Sequence, residues 1–89
     1  MIFTVVWKPS EEVHLADLWL DAPSDLRRRI TEAARVADQM LKVDPQFLGE
    51  LRSGNRRIVF IPPLALTVEV REDDRIVAVL SVHCIPDDR

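Results

Sequence analysis

The sequence predicts an α+β domain: an N-terminal strand, a helical hairpin, and then a four-strand antiparallel meander. Three observations predict it. Residues 26–41 repeat apolar side chains at helical spacing, residues 64–84 alternate with a spacing of two, and short proline-, glycine- and aspartate-containing segments separate the strands. The 89 residues make one domain, residues 1–89. A hydrophobic fraction of 47% is that of a chain able to form a core.

The first strand is Ile2 to Trp7, β-branched and aromatic, with Phe3, Val5 and Trp7 on one face. Ile2, Thr4 and Val6 share the other, so cover is expected on both sides. Lys8-Pro9 ends it. Ser10 is the expected cap of the first helix, and Glu11 and Glu12 fall where the helix dipole favours negative charge. Val13, Ala16 and Leu20 recur on one face of this helix, with Leu15, Leu18 and Trp19 beside them.

A second helix restarts at Pro23-Ser24-Asp25. Leu26, Ile30, Ala33, Ala37, Met40 and Leu41 form its apolar stripe; Arg27, Arg28, Glu32, Arg35 and Asp38 form the opposite face. Asp44-Pro45 stops it, because proline disfavours helix in the residue before it. The few residues between the helices predict an antiparallel hairpin.

The remainder reads as strand. Short strands run over 47–52 and 56–61 around the turn Ser53-Gly54-Asn55, and Pro62-Pro63 turns the chain again. In 64–71, Leu64, Leu66, Val68 and Val70 face one way; Ala65, Thr67, Glu69 and Arg71 face the other. After Glu72-Asp73-Asp74, simple alternation puts Ile76, Ala78, Leu80, Val82 and Cys84 on the apolar face. Val77, Val79, Ser81 and His83 then lie on the open one. Residues 86–89 form a polar tail expected to fray. The helical hairpin is the cover available for the apolar sheet face. Where the first strand joins the sheet is left open.

Twelve basic and fifteen acidic residues give a net charge of -3, which argues against a strongly cationic nucleic-acid binder. A single cysteine, Cys84, excludes an internal disulfide and any zinc-ligand spacing, and fits a reducing compartment. The opening apolar run is too short for a signal peptide, and no run approaches a membrane span. The expected location is the cytoplasm, with no metal, cofactor or small-molecule ligand.

Several segments together resemble the RelE/ParE family of bacterial toxins. Val5-Val6-Trp7-Lys8-Pro9-Ser10 is similar to the family's strand and helix start, and Asp44-Pro45 to the end of its second helix. Leu51-Arg52, Gly54 and Arg57-Ile58-Val59-Phe60 resemble its arginine-bearing hairpin, and the run from Arg75 to His83 its last strand. The resemblance implies a toxin-like component of a type II toxin–antitoxin system, neutralised by a cognate antitoxin whose disordered segment folds around it. RelE-like members cut messenger RNA on the ribosome, and ParE-like members poison DNA gyrase. Carried over by motif, Arg57 would hold the scissile phosphate, His83 would move a proton, and Glu50 is a candidate base. The chain departs from the pattern: it has no tyrosine, Arg56 stands where the family has one, and Cys84 follows His83. A toxin fold retained only as a protein-binding module is therefore an alternative.

Arg52, Arg56 and Arg57 gather positive charge around one turn, and arginine forks suit phosphate or carboxylate. Glu69 and Glu50 are their expected ion-pair partners, and alternation allows only one of Arg56 and Arg57 on the open face. Trp19 is a candidate lining residue of a groove that an antitoxin helix would enter. His14 is expected as a solvated side chain, Arg27-Arg28-Arg29 as a solvated helix face, and Cys84 as an unreactive thiol on the apolar face.

Overall fold

The structure, a computed structural model, describes residues 2–85; the expected frayed tail lies outside them. The elements are β1 (Thr4–Trp7), α1 (Pro9–Asp21), α2 (Ser24–Lys42), a 3-10 turn (Pro45–Phe47), β2 (Glu50–Ser53), β3 (Arg56–Ile61), β4 (Leu64–Arg71) and β5 (Ile76–Cys84). They build one five-stranded sheet in the order β1-β5-β4-β3-β2. β2 to β5 form the expected antiparallel meander, and β1 adds to β5 in parallel, so the helices form part of a long crossover.

The core lies between α2 and one sheet face. Ile30, Ala33, Ala37 and Leu41 of α2 pack over Val59, Ile61, Leu64, Leu66, Val68 and Val70, all buried. The α2 stripe and the β4 alternation stand as read, except that Met40 is 39% exposed at the stripe's margin. β1 is covered on one side alone. Phe3 is buried and Val5 and Trp7 are half-buried, whereas Ile2 and Val6 are exposed because no described element covers the other sheet face.

In β5 the faces differ from simple alternation. Val77, Val79 and Val82 are all fully buried, which a strict period of two forbids. The cause is a bulge: Thr67 pairs with Ser81 and Val68 with Val79, leaving Leu80 without an opposite residue. The extra residue reverses the phase, so Val77 and Val79 point to the helices while Ile76 and Ala78 point away.

Two boundaries also shift. α1 starts at Pro9, with Lys8 in the cap position and Ser10 already inside the helix without a side-chain capping bond. Proline suits that first helical position because its fixed φ is helical and its missing N–H would have had no partner there. β2 begins at Glu50 rather than 47, because Pro45–Phe47 wind into the 3-10 turn and Gly49 then takes a positive φ of 61°. That turn is entered through Asp44, itself left-handed at φ 46°.

Candidate functional site

The strand registers assign each candidate to a face, because directly opposed residues point to the same side of a sheet. Arg57 pairs with Leu51 and with buried Val68, so it lies on the helix-covered face. Its Nε donates to the Leu48 carbonyl oxygen, under the 3-10 turn. It shares a small recess there with Gln46, Asn55 and Glu72. Arg56 takes the open face opposite Glu69, whose carboxylate accepts from Arg71 at 3.0 Å. Arg52 pairs with Glu50 at 3.0 Å. Both partners are largely exposed, so this pair adds little stability.

His83 lies opposite Ala65, which in turn lies opposite Phe60, in one row across the open face. Glu50 is on the same face but three strands away, about 14 Å at ordinary strand spacing. Arg57 is on the opposite face. The three candidate catalytic residues Arg57, His83 and Glu50 are thus not gathered around one point.

The structure does bring another residue to His83. β1 covers β5 only from Ile76 to Val79, and the chain leaves it with the Lys8 amide donating to the Val79 carbonyl. Beyond that point the outer edge of β5 has no strand neighbour, and α1 lies along it instead. The Val82 amide donates to Glu11 Oε1 at 3.0 Å, so a side chain takes the place of a ladder partner. The same oxygen is 3.5 Å from His14 Nδ1, and the rings of His14 and His83 meet edge to face at 6.5 Å. His14 therefore joins the candidate site. The signal for it in the sequence is Glu11-x-x-His14, which puts carboxylate and imidazole on one helix face.

The Val82 amide above all holds the Glu11 carboxyl below the usual carboxylate range; burial opposes it, and the neighbouring His14 adds a smaller lowering. A carboxyl depressed in the folded state stabilises above its unfolded pKa, and that contribution is lost as pH falls through the folded value. The stability gap between the wild type and Glu11→Gln should therefore be full at pH 6. It should close as pH falls below the ordinary carboxylate range, as read by urea unfolding at each pH.

The second candidate surface is a groove between α1 and α2. It has a volume of about 470 Å³ and is lined by Leu15, Ala16, Trp19, Leu20, Ile30 and Ala34, with Glu12 and Thr31 as its polar members. α1 contains no buried residue. The face carrying Val13 and Leu20 is exposed, at 61% and 59% accessible, while Leu15 and Leu18 beside it pack against the core. Trp19 is held in place, its Nε1 donating to Thr31 Oγ1 at 3.1 Å and its ring lying under the Arg27 guanidinium. Arg27 also donates to the Trp19 carbonyl, which it shares with the Ala22 amide, and to the Leu20 carbonyl at the end of α1. Of the Arg27-Arg28-Arg29 run, Arg27 is therefore structural rather than merely solvated.

Among the described residues no three His, Cys, Asp or Glu side chains could hold a metal ion. No described helix is long and apolar enough to cross a membrane. Cys84 is half-buried against the core.

No protein-family model matches the chain, and a comparison with curated proteins finds no match. Solved structures do match it. A chain of the toxin–antitoxin complex RelBE2 from Mycobacterium tuberculosis is similar with a TM-score of 0.76 and 18% identity, over 98% of this chain and 95% of that one. An arginine double mutant of the Escherichia coli toxin RelE in the free state gives 0.63 and 15%, over 94% and 84%. The isolated E. coli RelE toxin gives 0.55 and 12%, over 98% and 88%. The fold is thus that of RelE toxin structures, as the order of strand, helical hairpin and meander implied.

Proposed function

We propose that the chain is the toxin-like subunit of a type II toxin–antitoxin pair, acting in the cytoplasm and restraining growth until an antitoxin binds it. The observation that carries this reading is the uncovered apolar groove between α1 and α2, on a fold shared with RelE structures. An apolar helix face left open on a small domain marks a partner surface. An amphipathic antitoxin helix fits such a groove. Glu12, Asp17 and Asp21 of α1 have no ion-pair partner among the described residues, so the seat favours a helix with basic residues along one side. Trp19 is its rigid aromatic anchor. Arg52, Arg56 and Glu69, on and beside the sheet's open face, remain for the cellular target.

A second reading, cleavage of messenger RNA, is favoured by the meeting of His83 with His14. The separation of Arg57 from His83 weighs against the particular pair that the family resemblance implied. Poisoning of DNA gyrase draws support from the resemblance alone.

Tightly induced expression in bacteria tests the first reading. Growth should stop, and should resume when a cognate antitoxin is expressed beside the chain. Unimpeded growth would leave a protein-binding module without toxicity.

A further inference from the structure

We propose that the outer edge of β2 is a self-pairing surface, on which a second copy of this chain adds its own β2 antiparallel across a two-fold axis at Leu51.

β2 ends the sheet, with no strand beyond it among the described residues. Such an edge offers unpaired backbone N–H and C=O groups to another strand. All four residues of β2 are exposed. Three large apolar side chains flank the edge: Phe47 just before the strand, Leu51 within it and Phe60 on β3, at 77%, 55% and 57% accessible. Leu51 lies opposite Arg57 on the helix-covered face, and Phe60 lies opposite Ala65 on the open one. Apolar surface thus stands on both sides of the same edge, where a paired strand would cover it.

The residues of the edge select a second copy as its occupant. With Leu51 opposite Leu51 on the axis, antiparallel pairing sets Glu50 of each copy against Arg52 of the other. Glu50 and Arg52 project from one side of the strand and meet at 3.0 Å within a single chain. In the pair, each carboxylate therefore has one guanidinium on its own strand and another across the axis. Opposite charges in facing positions favour a pairing, and like charges oppose it. A shift of one residue either way would set Leu51 against a charged residue instead. Arg52 has no opposite residue in β3, and this bulge bends the strand and keeps the paired stretch short. Two-fold pairing uses each edge once, so assembly closes at two copies. β2 is across the sheet from β5, which α1 borders, so the groove between the helices stays open to an antitoxin.

Sedimentation equilibrium of the full chain tests this. The wild type should be a dimer in reversible exchange with monomer. Leu51→Lys sets two ammonium groups face to face and should leave the chain monomeric where the wild type is mostly dimer. Glu50→Arg and Arg52→Glu should each weaken the dimer about tenfold or more, because each places two like-charged pairs across the axis. The double variant, with both charges exchanged, should return to within about threefold of the wild type. All three residues are exposed, so urea unfolding of the dilute monomers should be unchanged, which separates lost pairing from lost folding. A wild type that stays monomeric up to about 1 mM would overturn the proposal. So would a dimer that Leu51→Lys leaves intact, or a double variant no tighter than the single ones.

Discussion

Gly49→Ala should lower the unfolding free energy by about 3 kcal/mol or more, while Gly54→Ala should cost about 1 kcal/mol. The two glycines share a backbone conformation, with φ of 61° and 57°. Each substitution therefore carries the penalty of placing an L side chain in the left-handed region. They differ in their surroundings. A Cβ at Gly49 would sit 2.0 Å from the Ile58 carbonyl oxygen and 3.0 Å from a Val59 methyl, whereas one at Gly54 meets nothing within 4 Å. Ile58 is held in β3 between β2 and β4, so its carbonyl cannot yield without loosening the ladder. Urea unfolding of both variants measures the difference. Equal losses would mean that the approach of Gly49 to β3 does not constrain the fold. In a domain whose whole stability is of order 5–15 kcal/mol, the expected Gly49 effect is large.

Leu20→Glu should weaken antitoxin binding by about 100-fold or more and leave the free protein's stability within about 0.5 kcal/mol. Leu20 is 59% exposed, so its replacement removes little packing from the free chain. On binding, the new carboxylate would be desolvated among Leu15, Ala16 and Trp19. An unpaired buried charge costs several kcal/mol. Calorimetric titration with the antitoxin reads the affinity. A matched unfolding curve for the free variant separates lost binding from lost folding.

Much of the fold was legible because local patterns were strong and undisturbed. In α2, residues three and four apart are apolar over four turns, and in β4 every second residue is apolar, so periodicity alone selected the buried side. In β5 the same reasoning inverted the faces of residues 76–79. The single extra residue at Leu80 is set by pairing with β4, and nothing in the run Ile76 to Cys84 marks it. The parallel placement of β1 on β5 joins segments some 70 residues apart, and the local sequence carries no trace of it.

The site was legible only in parts. Alternation correctly allowed one of Arg56 and Arg57 onto the open face, but deciding which required the register with Glu69 and Val68. His14 read as a solvated residue because its partners, His83 and the free edge of β5, come from the far end of the chain. For α1, helical spacing marked Val13, Ala16 and Leu20 as one apolar face with Leu15, Leu18 and Trp19 beside it, and left open which of these turns to the core. The helix turns Leu15 and Leu18 inward, because Glu11 and His14 are drawn to the edge of β5. Ala16, Trp19 and Leu20 are thereby left to line the groove on which the functional reading depends.

Growth of cells that express this chain together with its antitoxin, beside cells that express Leu20→Glu with the same antitoxin, tests that reading most directly. The groove as antitoxin seat predicts normal growth in the first culture and arrest in the second, since the variant keeps its toxicity and escapes neutralisation. Equal rescue of both cultures would contradict it and move the antitoxin to another surface.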